Sequence, residues 1–540
     1  MNMHQSDSMA QAPEPSLNDK LLFWACFASI VATAFGFIIR SQIVGNWASE
    51  YGLGETQVGK INGVGLWPFA ISIVVFSLII DKIGYGKAMA FAFLCHISSA
   101  ILTILTPRLA TSNESAYNYL YFSTFILALG NGTVEAVANP VVANLFPREK
   151  TKYLNMLHAG WPGGLVLGGI IALTMGNSVA WQYKVALIFL PVLVYAALMI
   201  GRRFPISERV TAGVSFNAML REVGVIGAAI ILALIVRQLG DVFPVSDNQM
   251  TNNGAQVAIW AALVLAYGYQ VGFAPGQPLF IALMLIMIPL ATTELGTDSW
   301  ISPLMEPEMN RLGLAGGWVL VYTSLIMLIL RFFAGPIVHR LSPLGLLCAS
   351  SLIAAAGLLF LSKSTGLTIL AAATLYGLGK SFFWPTMLGV AAEQFPRGGA
   401  LTLNTLGGLG MLAVGVLGAP FQGFIQDTKV DRDLAAKDKS VYEQVVQPTK
   451  TSVFGDYRAL DPKKVDALSA GPKAEVTAIQ DASKRNVLVT TAIFPCVMLV
   501  CYLGLVIYFK ARGGYKPQII ITKKEEELLM TGGAQGPADF

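Results

Sequence analysis

Residues 119–146 read YLYFSTFILALGNGTVEAVANPVVANLF. The run is long and apolar enough to cross a bilayer as one helix, yet it carries a carboxylate, Glu135, near its middle. A charge at that depth costs about 2.5–3.5 kcal/mol on insertion scales, so it marks a candidate functional site. Asn131, Glu135 and Asn139 follow one another every fourth residue, which places them on one helix face. This stripe predicts a water-filled cavity beside the helix, although polar groups in membranes also simply link helices.

The composition of the chain is that of a polytopic membrane protein. Of its 540 residues, 54% are hydrophobic and 13% are charged, whereas soluble proteins carry about 25% charged residues. All five cysteines lie in apolar runs, so neither a disulfide framework nor a metal-ligand spacing is visible. The net charge of +5 is scattered over short loops and forms no basic patch. We therefore expect no cofactor, no metal and no nucleic-acid partner.

Apolar runs predict fourteen membrane-spanning helices in total. Six lie within residues 21–201 and six within residues 278–509, and each set is expected to form one helix bundle. Two further runs occupy the linker, residues 202–277, and are read as two extra membrane helices. Twelve spans with a partly embedded linker are the alternative.

Basic residues fix the expected orientation. Lysines and arginines concentrate in alternate short loops and near the carboxyl end, and such residues favour the cytoplasmic side. The tails, residues 1–20 and 510–540, are therefore predicted to be cytoplasmic. Residues 426–486 then form a long external loop, which we expect to be a partly ordered cap.

An internal repeat relates the two predicted bundles. The pattern Leu-Gly-x15-Phe-Pro-Arg occurs at residues 129–148 and again at residues 378–397, an offset of 249. The same offset maps Leu154-Asn155 onto Leu403-Asn404. Matches in one register across paired helices predict two homologous bundles related by a pseudo-twofold axis.

The repeat pairs polar residues of the two halves. Lys380 corresponds to Asn131, and Trp384 corresponds to Glu135. One half thus offers an acid at the predicted cavity, while the other offers a cation and an indole.

Short charged turns occupy related places in the two halves. Residues 81–87 (DKIGYGK) follow the second span, and residues 331–343 (RFFAGPIVHRLSP) follow the eighth. Such charges can simply obey the positive-inside bias, but the pattern of Asp81 and Gly84 favours a latch that holds one conformation. The candidate latch residues are Asp81, Lys82, Gly84, Lys87, Arg331, Gly335 and Arg340.

These motifs resemble those of the major facilitator superfamily, and more narrowly its fucose–proton symporter branch. Residues 81–87 are similar to the superfamily's loop between helices 2 and 3. The likeness to the branch rests on the pattern Gly-x2-Glu-x2-Ala-Asn-Pro at residues 132–140, and on Leu154-Asn155, residues 331–343 and Trp384-Pro385-Thr386. The resemblance implies an all-α fold of two six-helix bundles and proton-coupled sugar uptake, with Glu135 near the substrate and involved in coupling.

The sequence departs from that branch on the first helix. The branch carries an acidic residue there that is implicated in proton coupling, whereas this chain has Ser41 between Arg40 and Gln42. A proton carrier has therefore been lost from this helix or moved elsewhere.

A sugar site needs amide or acid partners for hydroxyl groups and indole faces for the C–H surface of the ring. Most Trp in membrane helices belong to interfacial belts, but Trp384 lies midway along its span. The candidate substrate-binding residues are Arg40, Gln42, Asn131, Asn139, Asn155, Trp161, Trp300, Lys380, Trp384 and Asn404.

Proton coupling has four candidates: Glu135, Glu294, Asp298 and His158. Glu294 and Asp298 lie one helical turn apart and would share a proton if both face the cavity. Near the outer mouth they would instead stay solvated. A free imidazole titrates near neutral pH, which makes His158 a candidate proton relay, although a lone His in a bundle is more often a hydrogen-bonded filler.

The sequence therefore predicts a secondary transporter, not an enzyme, that moves a monosaccharide or related polyol with protons by alternating access. We expect a monomer in the bacterial inner membrane. Arg40 and Lys380 need acidic partners, and if one stays unpaired it would select an organic anion such as a sugar acid. A membrane receptor that transports nothing, with residues 426–486 as its binding surface, is the alternative from another class.

Overall fold

The computed structural model describes residues 15–520 of the chain. Within that range the side chains of some residues are not described, namely Glu55, Thr56, Asn177, Ser299, Trp300, Pro303, Leu304, Pro307 and Ala419.

The first half of the chain is helical throughout its apolar runs. The opening helix starts at a capping box, in which the Ser16 hydroxyl accepts from the Asp19 amide at 3.2 Å and the Asp19 carboxylate accepts from the Ser16 amide at 3.1 Å. The helices are α1 Leu17–Tyr51, α2 Glu55–Val64, α3 Trp67–Ile83, α4 Tyr85–Leu109, α5 Asn113–Leu145, α6 Lys150–His158, α7 Gly160–Met175, α8 Trp181–Ala186 and α9 Phe189–Met199.

The linker forms a helical hairpin, and the second half repeats the helical pattern. The linker helices are α10 Glu208–Thr211, α11 Phe216–Val242 and α12 Gln249–Val271. The following helices are α13 Pro278–Ala291, α14 Thr297–Arg311, α15 Gly317–Phe332, α16 Ala334–Leu341, α17 Pro343–Lys363, α18 Thr368–Lys380, α19 Phe383–Gln394 and α20 Gly399–Ala413. π-Helical turns at Thr292–Gly296 and Val414–Gly418 follow α13 and α20.

The last part of the chain contains the predicted external loop and the final span. Its elements are α21 Ala419–Lys437, α22 Lys439–Val445, β1 Lys450–Ser452, β2 Gly455–Tyr457, α23 Pro462–Asp466, α24 Ala470–Thr491 and α25 Ile493–Ala511. Strands β1 and β2 pair antiparallel, with Thr451 opposite Asp456. Apolar side chains including Leu434, Val445 and Val476 form a separate core there. Residues 426–486 are therefore folded, and their external position stays a prediction.

The number of membrane crossings is close to the expected one. Between residues 15 and 520, twelve helices are long and apolar enough to cross a membrane, and thirteen result if α15 and α16, bent by 68°, count as one more span. Among the six runs predicted within residues 278–509, the one at residues 367–392 is divided into α18 and α19, each too short to cross the membrane alone. Fourteen spans are consistent with this arrangement but are not confirmed by it.

The two halves meet through equivalent helix pairs. With the offset of 249, α3 falls on α15, and α20 falls on α6 and the start of α7. The helices α7 and α15 pack together across the interface, and so do α20 and α3. One pseudo-twofold axis thus relates the two contacts, as the sequence repeat predicts.

Glycines allow the closest helix approaches. A Cβ atom built on Gly132 would lie 2.2 Å from the carbonyl oxygen of Phe69, and one on Gly164 would lie 2.5 Å from that of Val31. Small residues at such crossings are the usual means of packing helices in membranes. These contacts fix α5 against α3 and α7 against α1, and so position the polar residues described next.

Candidate functional site

A narrow central cavity lies where the two halves meet. Its volume is about 20 Å³, room for a water molecule and no more, so the cavity is nearly closed in this conformation. Both halves supply its walls: the lining residues are Phe69, Ile73, Glu135, His158, Trp161, Glu294, Leu295, Arg331, Trp384 and Met411.

The first half contributes a buried acid and a histidine joined by one amide. Asn139 Nδ2 donates to Glu135 Oε2 at 2.8 Å, and Asn139 Oδ1 lies 2.9 Å from His158 Nε2. Because the amide oxygen can only accept, His158 Nε2 carries the hydrogen in this arrangement. Glu135 lies 4.0 Å from His158, and no Lys or Arg among the described residues forms an ion pair with it.

The second half contributes a fully buried ion pair. Arg331 Nη2 lies 2.5 Å from Glu294 Oε1, and the two side chains are 1% and 2% exposed. The π-helical turn Thr292–Gly296 aims Glu294 inward, and such turns occur frequently at functional sites. Trp384 donates its backbone N–H to the other oxygen of Glu294 at 3.1 Å.

Arg331 also connects the two halves. Its Nη1 donates to the carbonyl of His158 at 3.0 Å, and its Nε donates to the carbonyl of Ser381 at 2.5 Å. The sequence predicted that Arg331 lies in a charged loop and forms part of a latch. The predicted position in a loop is wrong. Arg331 lies in the last turn of α15, inside the bundle, where its long side chain reaches the buried carboxylate of Glu294.

A second ion pair lies close to the first. Lys380 binds Asp298, and its ammonium lies 5.3 Å from the centroid of the Tyr376 ring. Glu294 and Asp298 therefore each have a cation of their own, and no hydrogen bond joins their carboxylates in the described part of the chain. A role of either acid in proton coupling stays a prediction, but the structure does not bring the two together to share a proton.

Asn131 lies outside the central cavity. It is buried in the first bundle, where its Oδ1 is 2.9 Å from His96 Nε2. Tyr195 contacts the other ring nitrogen of His96 at 3.1 Å. The expectation that Asn131 shares the cavity face with Glu135 is contradicted, because its amide faces α4.

Asn155 and Asn404, which the repeat makes equivalent, are buried at the interface between halves. Asn155 donates to the Thr386 hydroxyl at 3.2 Å, and Asn404 donates to the Ala136 carbonyl at 3.0 Å. In the first bond the donor belongs to the first half and the acceptor to the second; in the other bond the donor belongs to the second half and the acceptor to the first. Neither residue lines the central cavity, so both serve the interface in this conformation.

The remaining candidates for substrate binding are spread over several places. Trp161 and Trp384 line the central cavity. Gln42 is half-buried elsewhere on α1, and Arg40 lines a separate cavity inside the first bundle. The side chain of Trp300 lies outside the described residues.

The candidate latch is only partly assembled. Asp81 binds Arg209, a partner that the sequence reasoning missed. Lys82 lies 5.6 Å from the Phe216 ring centroid, and Gly84 has φ of 83°, which explains the glycine there.

Lys87 and Arg340 are exposed. Gly335 adjoins Lys152 of the other half, since a Cβ there would lie 3.4 Å from Lys152 Cε.

The two halves close against each other at one end, which we name the tail end because the carboxyl-terminal segment lies there. Thr151 donates its hydroxyl to Glu393 Oε1 at 2.5 Å and its N–H to the same atom at 3.2 Å. Tyr515 donates to Glu393 Oε2 at 2.7 Å, and the Gln518 amide donates to the Glu393 carbonyl at 2.7 Å. Sequence reasoning missed Glu393, although it is an acid beside an apolar run, the same signal that selected Glu135.

Known proteins resemble this chain in sequence and in fold. The model of the Major Facilitator Superfamily matches residues 21–305. The Protein TsgA homolog of Buchnera aphidicola subsp. Schizaphis graminum (strain Sg) is 25% identical over 200 residues, which are 36% of this chain and 49% of that protein. The match thus spans about half the length of that relative.

Solved structures show the same architecture at low identity. The E. coli fucose:proton symporter FucP has a TM-score of 0.51 and 17% identity, over 88% of this chain and 98% of that one. The proton:xylose symporter XylE of E. coli has a TM-score of 0.58 and 13% identity, over 89% and 95% of the two chains. Together with the family match over more than half of its length, these findings establish that the chain belongs to the major facilitator superfamily.

Proposed function

We propose that the protein is a secondary transporter that moves a monosaccharide or related polyol together with protons by alternating access. The observation that carries the proposal is the environment of Glu135. This carboxylate lies in the cavity between the halves without a Lys or Arg partner among the described residues, whereas Glu294 and Asp298 are both paired.

An unpaired carboxylate is well suited to carry a proton. The charged carboxylate costs free energy in nonpolar surroundings, and the neutral carboxylic acid costs far less. Asn139 keeps the acid oriented in either form, because its N–H2 donates to the carboxyl oxygen. A proton taken up from one side of the membrane therefore neutralises Glu135 and favours the change of conformation. The proton is then released on the other side.

The groups that line the same cavity suit a sugar, for which the cavity must widen as the halves move apart. Glu135 offers an acceptor for hydroxyl groups, and Trp161 and Trp384 offer aromatic surface from opposite halves. A ligand held between both halves favours the closed state in which both contact it. The shared fold of the fucose:proton and proton:xylose symporters supports this substrate class.

Uptake by proteoliposomes tests the proposal. Purified full-length protein is reconstituted, and labelled hexoses, pentoses, polyols and organic anions such as sugar acids are presented with and without an inward proton gradient. We expect one of these solutes to accumulate only when the gradient is imposed. Uptake that ignores the gradient would disprove proton coupling, and accumulation of organic anions alone would disprove the sugar assignment.

A further inference from the structure

Arg40 lies in a second cavity, which is enclosed by the first bundle and separate from the central one. Helices α1, α4 and α5 contribute its walls, together with Val185 and Ile188, and its volume is about 30 Å³, enough for one or two species the size of water. Most of the lining is apolar, as at Ile43 and Leu127. A cation in such surroundings requires an explanation.

Arg40 has no charge partner among the described residues, which is the condition under which the sequence predicted selection of an organic anion, but it lines a cavity separate from the central one. The side chain is 6% exposed, its Nε donates to no acceptor, and no carboxylate of the described residues forms an ion pair with it. The other buried cations are compensated: Lys150 by Glu208, Arg209 by Asp81, Arg331 by Glu294, Lys380 by Asp298 and Lys184 by the Gly176 carbonyl. Phe37 lies 5.5 Å from the Arg40 guanidinium, but its ring leaves the charge in place.

A second donor in the same cavity is also unpartnered. Trp47 is 2% exposed, and its Nε1 has no acceptor within the described chain. It follows Arg40 by about two turns of α1, which puts both side chains on one helix face. Guanidinium and indole nitrogens only donate hydrogen bonds. The two side chains therefore need a hydrogen-bond acceptor, and a negatively charged acceptor would also balance the positive charge of Arg40.

The guanidinium of Arg40 packs directly against the backbone at Gly65. A Cβ atom on Gly65 would lie 2.0 Å from Arg40 Nη1, so no side chain separates the two. Gly65 lies between α2 and α3. Anything that binds Arg40 therefore also influences how α1 meets the turn that leads into α3.

The chemistry of the walls limits the ligand. Ser99 donates to the Ser123 carbonyl at 2.6 Å, and Thr103 donates to the Ser123 hydroxyl at 2.9 Å, so these hydroxyl hydrogens are already used. A divalent anion such as sulfate would exceed the single positive charge of Arg40 and leave a buried charge uncompensated. We propose that a small monovalent anion, such as chloride, binds between Arg40 and Trp47 and stabilises the first bundle, independently of the transported solute.

Thermal unfolding of the full-length protein tests this site. Sodium chloride, bromide and gluconate are compared at equal ionic strength. We expect Tm to be higher by about 2 °C or more in the halides, since a ligand of the folded state stabilises it. Arg40→Gln should lose this difference entirely. Arg237→Gln, which removes another helical arginine outside the cavity, should keep it.

Two outcomes would overturn the proposal. One is a halide-dependent shift in Arg40→Gln as large as in the wild type. The other is a wild-type Tm that is the same in all three salts, which is the result expected if water alone serves the two donors. Should Arg40→Gln fail to fold, bromide-soaked wild-type crystals decide, because an anomalous peak is expected within hydrogen-bond distance of Arg40. Crystals without that peak would contradict the anion site.

Discussion

The carboxylate of Glu135 and the imidazole of His158 lie 4.0 Å apart, and the amide of Asn139 bonds to both. The amide orientation requires a hydrogen on His158 Nε2 and presents a donor to Glu135. The two titratable groups are thus held by one side chain, while Arg331, which lines the same cavity, is engaged by Glu294. This arrangement distinguishes Glu135 as the group whose charge can change.

Glu135→Gln should separate proton coupling from solute exchange. The amide keeps the size of the side chain and cannot release a proton, so we expect gradient-driven accumulation to fall to background, at least about tenfold. Exchange of labelled for unlabelled solute at equal concentrations should continue. The measurement is uptake and counterflow in proteoliposomes.

The matched control is Glu114→Gln, on the same helix but exposed at its start. It should behave as wild type in both assays. Wild-type dependence on the pH gradient in Glu135→Gln would remove Glu135 from the coupling mechanism.

Arg331→Met should destabilise the protein strongly. It leaves the Glu294 carboxylate buried without its cation, a change that costs about 3–5 kcal/mol for comparable pairs. Adding Glu294→Gln should restore much of the lost stability but not transport, because the link from Arg331 to the His158 carbonyl stays absent. Thermal unfolding in detergent measures the first effect, and uptake measures the second.

Arg237→Met provides the comparison for the buried pair. Arg237 lies 3.2 Å from Asp241, but both are partly exposed, and such pairs contribute about 0–1 kcal/mol. Equal losses from Arg237→Met and Arg331→Met would argue against a special role of the buried pair.

Gly132→Ala should loosen the packing of α5 on α3. The added Cβ would lie 2.2 Å from the Phe69 carbonyl oxygen, and a backbone atom cannot move aside as a flexible side chain can. Overpacking of this kind costs about 1–3 kcal/mol. Gly45→Ala on α1 is the control, because no heavy atom lies within 4 Å of its Cβ position. An unchanged Tm in Gly132→Ala would show that the two helices are not in this close contact.

Glu393→Ala should open the tail end. The substitution removes the acceptor for Thr151 and for Tyr515, and bonds to charged groups contribute about 1.5–3 kcal/mol. We expect amides of residues 150–155 to exchange hydrogen about tenfold faster or more. Glu443→Ala, at an exposed site of α22, should leave this exchange unchanged. Unaltered exchange in Glu393→Ala would mean that the contact does not hold this end closed.

Much of the fold could be predicted from the sequence because it follows from local rules. Hydrophobic runs specify membrane helices, and the offset of 249 residues indicated that two bundles share one design. The pairing of α7 with α15 and of α3 with α20 is a direct consequence. The acid in the middle of α5 was also found this way, since its cost at bilayer depth is visible without a structure.

Side-chain partners could not be predicted with the same success. Residues four apart on a helix are rotated by about 40°, so Asn131 and Asn139 differ by about 80° around α5. That rotation is enough to place Asn139 beside Glu135 and to turn Asn131 toward His96. Arg331 was misplaced for a related reason, because the length of its side chain carries the charge far from its Cα position.

The linker hairpin bears on how the chain acquired its present length. Helices α11 and α12 both qualify as membrane crossings and lie at the junction between the two repeats, which they leave uninterrupted. The base of the hairpin is tied together at a kink in α11, where Gly224 has φ of 64° and the Val225 amide donates to the Ala274 carbonyl at 2.9 Å. Two additional crossings preserve the orientation of everything that follows them. A single additional crossing would place the second repeat in the opposite orientation across the membrane.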